Sequence, residues 1–349
     1  MRKRRYRKME GKILKISSMV LMITIVLSAV VLWQFSDVHR IELKQRQMSG
    51  LQMLAYYTRP TEQTEDISFK HQLQLELPQG LELDRVLFEN DYVTQNIVIE
   101  IPGVEKDYFF KHPLLGRCNH INDLYMENGR IEISMDAVYE VETRISNGRL
   151  YLDFIHPRER YEKVVVIDPG HGGGAPGAIK QGIMEKDINL GIVKELKKLL
   201  DENDREIGVY YTRTEDVNPT FAQRAQLGEK AGANLFISVH CNSDSDAELS
   251  DRDGVEVLYD EQKSDEDYGG GRLAQICLEE FAAATGSKAN GVANGSGIYI
   301  LRNSEVPAAL IEVGFMTNQE ELQRMTTGEF QERAAQGIYQ AILRALEER

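Results

Sequence analysis

Four residues in the carboxyl-terminal half of this 349-residue chain have side chains suited to chemistry: His171, Glu185, His240 and Glu312. His171 follows the run "VVVIDPG", Glu185 lies in "MEKDINL", His240 ends "LFISVH", and Glu312 sits inside "ALIEVGF". A catalytic zinc takes three protein ligands from histidine and carboxylate and leaves a fourth position for water. His171, Glu185 and His240 supply that donor set. With one carboxylate among the ligands a divalent ion keeps a net positive charge, which acidifies water toward neutrality. The glycines around His171 let its loop fold so that the ring can face an ion. Glu312 is costly to bury without a partner, and apolar surroundings raise a carboxyl pKa. Such a group can take a proton from water and return it to a leaving amine. A period of two puts Leu310, Glu312 and Gly314 on one face, with Gly314 expected to leave space beside the carboxylate.

Each residue also has a plainer reading: a loop histidine, a carboxylate at a helix start, a histidine at a strand end, and half of an ion pair. One ion and one water account for all four together. No compact motif such as HExxH is present. Cys241 beside His240 suggests a thiol hydrolase, but neighbours on a strand point to opposite faces. Cys118, Cys241 and Cys277 are too few and too scattered for a disulfide framework. His71, His112, His120 and His156 are single and dispersed, and read as surface or structural residues.

The elements that must position these residues follow from periodicity. From Lys163 onward, strand candidates are "VVVID", "VYYTR" (209–213), "LFISVH" (235–240), "GVEVLYD" (254–260), "GIYILR" (297–302) and "AALIEVGF" (308–315). Helical patterns lie between them: Ile188, Ile192, Leu196 and Leu199 share a face of a helix opened by Glu185. Phe330, Ala334, Ile338, Ile342 and Leu346 line the last helix. Alternation of this kind predicts an α/β fold, a mostly parallel twisted sheet with helices on both faces. Active sites in such sheets gather at the carboxyl ends of strands, where His171 and His240 fall. Residues 66–158 instead carry short alternating segments, among them "QNIVIEI", "RIEISMDAVYEVET" and "GRLYLDFI", punctuated by Asn128-Gly129 and Asn147-Gly148. They predict a small antiparallel β domain with one wet face.

Net charge is −14, which argues against nucleic acid as a partner. That figure conceals a basic start. Residues 1–15 hold eight lysines and arginines against Glu10, and precede the uncharged run "ISSMVLMITIVLSAVVLW" over 16–33. As a helix, about 18 residues rise roughly 27 Å, near the hydrocarbon thickness. Basic residues stay on the cytoplasmic side, so the chain beyond Trp33 is expected outside the cell membrane, as a single-pass protein. A cleaved signal peptide, giving a secreted protein, has the same charged start. Residues 34–65 are polar and unpatterned and read as a stalk.

Residues 163–349 resemble the zinc-dependent N-acetylmuramoyl-L-alanine amidases, the amidase-3 type of cell-wall hydrolases. The pieces that carry the likeness are "VVIDPGHGG", "GIMEKDINL", "YYTRTEDV", "RAQLGEKAGANLFISVHCNS", "GVEVLY" and "VPAALIEVGFMTN", in the family's order. The resemblance implies one Zn2+ on His171, Glu185 and His240, Glu312 as the catalytic glutamate, and peptidoglycan as substrate. The bond cut would be the amide between the lactyl group of N-acetylmuramic acid and L-alanine of the stem peptide. The chain departs from the pattern after GHGG, where Gly174-Ala175-Pro176-Gly177-Ala178 lacks the family's usual aspartate. Some members insert a long helix that blocks the zinc; the segment from Glu261 to Gly271 is too short for one. By position and strand pattern, the β domain resembles the non-catalytic domains that precede such amidases and bind envelope components. Two other functions fit the residues: a zinc peptidase of stem peptides, and a tethered wall-binding scaffold.

Overall fold

A computed structural model describes residues 48–58, 72–203, 206–244, 249–263 and 269–348. The basic segment 1–15, the apolar run 16–33 and His71 lie outside the described residues. Among the described residues no helix is long and apolar enough to cross a membrane.

Of the expected stalk, residues 34–47 and 59–65 are also outside the description, but the part between them corrects the expectation. Gly50–Tyr57 is a helix, α1. Ser49 and Gln52 close a capping box at its start, satisfying free backbone N–H groups. Met53 and Leu54 are buried. A Cβ on Gly50 would lie 1.9 Å from the Leu124 carbonyl, so glycine is what lets the helix settle against the β domain.

The β domain comprises β1 (Leu73–Glu76), β2 (Leu87–Asp91), β3 (Asn96–Glu100), the single-turn α2 (Tyr108–Lys111), β4 (Leu115–Gly116), β5 (Ile121–Glu127), β6 (Arg130–Met135), β7 (Glu140–Ser146) and β8 (Arg149–Ile155). They form two antiparallel four-stranded sheets, ordered β4-β1-β8-β7 and β2-β3-β6-β5. Alternation of buried and wetted residues along β6 and β8 turns one face of each sheet inward. Leu73, Leu75, Leu150 and Leu152 from one sheet meet Ile97, Ile99, Ile131 and Ile133 from the other in a shared core. Asn128-Gly129 and Asn147-Gly148 all have positive φ, which makes the tight hairpins β5–β6 and β7–β8.

After one helical turn, α3 (Pro157–Arg160), the second domain runs β9 (Lys163–Pro169), β10 (Ile179–Lys180), β11 (Ile183–Met184), α4 (Glu185–Asn203), β12 (Ile207–Tyr211), α5 (Phe221–Lys230), β13 (Leu235–Asn242), β14 (Val255–Tyr259), α6 (Gly270–Thr285), β15 (Ala289–Asn294), α7 (Tyr299–Arg302), β16 (Ala308–Phe315), α8 (Gln319–Met325) and α9 (Gly328–Glu347). Six strands make one sheet in the order β12-β9-β13-β16-β14-β15. Every neighbouring pair is parallel except β14 with β16. The expected strand at 297–302 is instead the short helix α7, whose Ile300 and Leu301 are buried against the sheet. A short apolar run cannot by itself distinguish strand from helix. The edge position belongs to β15, whose half-wetted "ANGVAN" gave no apolar signal.

The two faces of this sheet are covered unequally. On one, α4, α6 and α9 pack Ile192, Phe281 and Ile338 against Ile167, Ile237 and Ile311. On the other, the shorter α5 and α7 place Leu227, Ile300 and Leu301 over Val166, Phe236 and Leu310. Two residues beyond those strand positions, still on the second face, stand Asp168, Ser238 and Glu312; His240 follows Ser238. The second face therefore changes from apolar to ionisable side chains toward the carboxyl ends of its strands. The β domain contacts the opposite end of α5, through the Val138 N–H on the Lys230 carbonyl, and β12, through the Tyr210 hydroxyl on Glu140.

Candidate active site

Residues 169–173 form the loop that presents His171. His171 itself has φ +60°, a left-handed conformation that a non-glycine residue adopts only when its surroundings enforce it. Two buried arginines supply the enforcement. Arg213 donates from Nε to the Pro169 carbonyl and from Nη2 to the Gly170 carbonyl, each at 2.9 Å. Arg224 donates to the Pro169 carbonyl at 2.9 Å and to the His171 carbonyl at 2.6 Å. Arg224 is itself held by fully buried Asp168 at 2.7 Å, which also accepts from Thr212 and Ser238. Burial alone would raise the Asp168 carboxyl; the Arg224 charge and the two hydroxyls outweigh it and keep the group below the ordinary range.

Glu185 begins α4 and reaches over the end of the sheet. Its Oε1 lies 2.9 Å from His240 Nδ1, and its Oε2 lies 3.2 Å from His171 Nε2. The Ala178 and Cys241 backbone N–H groups also donate to it, at 2.9 and 3.1 Å. Burial opposes ionisation here, yet the two imidazoles outweigh it and hold the Glu185 carboxyl well below the ordinary range. Burial likewise would lower His240, but the adjacent Glu185 carboxylate prevails and raises it. The His171 and His240 ring centroids are 4.8 Å apart. Ligand atoms of His171, Glu185 and His240 all fall within 4.8 Å of one another, close enough for small movements to bring them onto one ion.

Glycines leave the room for this cluster. A Cβ on Gly170 would sit 2.2 Å from the His240 ring, and one on Gly177 would sit 2.4 Å from Glu185 Oε2. The loop that lacks the family's aspartate is closed by other means. Gly172 and Ala175 exchange backbone hydrogen bonds, and the Gly173 N–H donates to Asp216, which Lys186 holds at 2.5 Å.

Glu312 stands beside this cluster. On β16 it is the register partner of His240 on β13, and on its other side it pairs with Glu256 on β14. Its Oε2 is buried with no hydrogen-bond partner among the described residues. Burial pushes its carboxyl up to about 7, with Glu185 and Glu256 adding to the rise and His240 opposing it. The expected role of Gly314 is corrected: a Cβ there would meet Glu321 Oε2 and Met325 Sδ at 3.1 Å, so its open side admits α8. The strands change register after His240, which explains the departure from simple alternation.

Cys241 turns away from the cluster, as alternation predicts. It packs in the core beneath α4 with Sγ 3.5 Å from Asn189, and burial raises its thiol well above the ordinary value. That makes it a poor nucleophile. Three dispersed histidines have structural partners in the β domain: His112 with Glu76, His120 with Asp136, and His156 as the cap of α3. Asp168, Arg213, Arg224, Glu256 and Asn242 were not singled out from sequence. Signals existed for two: Asp168 interrupts no charge-tolerant stretch but an apolar strand, and Arg224 shares its helix face with Ala225, Leu227 and Gly228.

The family model described as N-acetylmuramoyl-L-alanine amidase matches residues 165–344. AmiB of Haemophilus influenzae is 29% identical over 225 residues, an alignment covering 51% of this chain and 51% of AmiB. The N-acetylmuramoyl-L-alanine amidase LytC of Bacillus subtilis is 30% identical over 177 residues, covering 51% of this chain and 34% of LytC. The chain thus spans about half the length of AmiB and a third of LytC. Among solved structures, the N-acetylmuramoyl-L-alanine amidase of Clostridium difficile 630 superposes with a TM-score of 0.50 at 31% identity. That match covers 54% of this chain and 98% of the other. The matched stretch holds His171, Glu185, His240 and Glu312, and on that match the chain belongs to the N-acetylmuramoyl-L-alanine amidase family.

Proposed function

We propose that the second domain hydrolyses peptidoglycan at the amide between the lactyl group of N-acetylmuramic acid and L-alanine of the stem peptide. In this reading one zinc is held by His171, Glu185 and His240, and Glu312 is the general base and acid. The observation that carries it is Glu312: a carboxylate in register with His240, its Oε2 buried and unpartnered, its carboxyl pushed up to about 7. A structural ion pair would satisfy that oxygen; a proton carrier needs it free. The donor set fits the ion, since Gly170 and Gly177 clear the space that side chains would fill.

When bound, the zinc supplies Lewis acidity at the scissile carbonyl and makes water a stronger acid. The chain does the rest. Glu185 contributes the one negative charge among the proposed ligands and, through His171 and His240, fixes both rings. Arg213 and Arg224 keep His171 from relaxing out of its left-handed geometry. Glu312 removes a proton from the attacking water, holds it near neutrality, and delivers it to the departing alanine nitrogen. No side-chain nucleophile is required, consistent with the buried thiol of Cys241.

A zinc peptidase acting within the stem peptide would use the same constellation. Digesting purified peptidoglycan and analysing the products by mass spectrometry separates them: the amidase liberates muramyl lactyl groups, the peptidase new peptide termini. Metal analysis of the same preparation should return one zinc per chain, and a metal-free, inactive preparation would favour a wall-binding scaffold. We also propose that the domain works outside the cell membrane, a reading supported by the basic cluster at 1–15 ahead of the apolar run 16–33.

A further inference from the structure

The layer covering the site-bearing face of the sheet ends in two exposed aromatic rings. Phe221, the first residue of α5, is 65% exposed, more than any other large apolar side chain among the described residues; Tyr299, the first residue of α7, is 40% exposed. Their ring centroids are 6.1 Å apart and the planes are tilted by 31°. The Arg302 guanidinium lies 6.0 Å from the Tyr299 centroid and donates to the Ser296 and Gly297 carbonyls, which fixes the start of α7.

The height of this pair above the sheet floor follows from the ladder. A Cβ on Gly228 of α5 would meet the Phe236 ring of β13 at 3.8 Å, so those two positions are at roughly similar heights. Going back seven residues on the helix, to Phe221, climbs about 10 Å. Going forward four residues on the strand, to His240, climbs about 13 Å. Because α5 joins two parallel strands of one sheet, it runs against them, and both climbs head for the carboxyl end. Phe221 therefore stands toward the same end of the sheet as His240, at a similar height. It is also one turn from Arg224, whose guanidinium grips the His171 carbonyl. α7 is placed likewise, since Ile300 and Leu301 pack with Leu310, two residues before Glu312. Polar groups stand near the carboxyl end of β13 as well: Asn242 bonded to Glu256, and Asp244 bonded to Arg252.

We propose that Phe221 and Tyr299 form a stacking platform for the glycan that flanks the scissile bond; this rests on the amidase reading above. One side of that bond is a peptide, rich in amides and carboxylates and suited to the polar groups. The other is a pyranose, which offers an apolar C–H face and a polar rim. An exposed aromatic pair provides a large apolar surface with a negative face at little cost in conformational freedom. The platform makes glycan length a determinant of substrate affinity.

The test uses the full chain, its Phe221→Ala/Tyr299→Ala variant, and Phe221→Trp. Binding of glycan strands stripped of stem peptides is measured by calorimetry. Hydrolysis is compared between a muramyl peptide with no glycan extension and one extended by several disaccharides. The double alanine variant should bind stripped glycan about tenfold more weakly, and the preference of the parent for the extended substrate should collapse through KM. Phe221→Trp should retain both. Equal glycan binding by parent and double variant, or equal slowing on both substrates, overturns the platform. Glycan binding that depends on the two rings in a chain that releases no lactyl groups would leave the platform standing and remove the amidase reading.

Discussion

Glu312 on β16 and His240 on β13 are register partners on adjacent parallel strands, so their side chains leave the same face of the sheet. That relationship ties the raised carboxyl to the His171, Glu185 and His240 cluster without any direct bond between them. It also lets each be altered separately.

Glu312→Gln keeps the size of the side chain and removes its ability to carry a proton. Hydrolysis of peptidoglycan should fall by about 10²–10⁴-fold. Zinc content should be unchanged, because Glu312 is not among the three clustered donors. Retained turnover in a zinc-loaded variant would remove Glu312 from the role of base.

The same substitution predicts a pH-dependent change in stability of the metal-free protein. The Glu312 carboxyl rises from an ordinary 4.5 to about 7 on folding. Between those values the unfolded chain has lost the proton while the folded chain retains it, so rising pH favours unfolding until about pH 7 is passed. Glu312→Gln escapes that loss. Its stability relative to the parent should improve by up to about 3 kcal/mol between pH 4 and pH 8. Urea unfolding midpoints of both proteins across that range give the answer, and a constant offset would contradict the raised carboxyl.

Gly170→Ala puts a methyl group against the His240 ring, where only 2.2 Å is available. The ring must move, and the three-donor cluster opens. Zinc affinity should drop at least about tenfold, in line with disturbed support of a metal ligand. Circular dichroism should remain that of the parent. Undiminished zinc affinity would show that the His240 ring position is not what gathers the donors.

Arg224→Met removes the partner of a fully buried carboxylate. Asp168 then keeps only the Thr212 and Ser238 hydroxyls, and its uncompensated buried charge costs about 3–5 kcal/mol. The His171 carbonyl also loses its 2.6 Å donor, so activity should fall beyond what the lost stability explains. Adding Asp168→Asn should recover part of the stability but not the activity. Recovery of both would mean that Arg224 serves the fold alone.

Most of the framework and the four candidate residues were legible in the sequence alone. Apolar strands alternating with amphipathic helices imply one sheet with two covered faces, because no other arrangement buries both patterns. Glu185 opening a helix, His171 just past the end of β9 and His240 near the end of β13 follow from the same rhythm. What it missed lies where burial does not write a periodic signal. β2, β5 and β15 are edge strands, half in water, and their polar residues hid them. The apolar run of α7 was short enough to serve either element. α1 was hidden in polar surroundings, since a two-turn helix needs only Met53, Leu54 and a close-fitting Gly50. Tertiary structure alone decided three things: that Arg213 and Arg224 hold His171 at positive φ, that Glu312 faces His240 and Glu256 in one row, and that the short α5 and α7 leave that row open. These are contacts between residues far apart in the chain. Their energies depend on distances that no local pattern encodes.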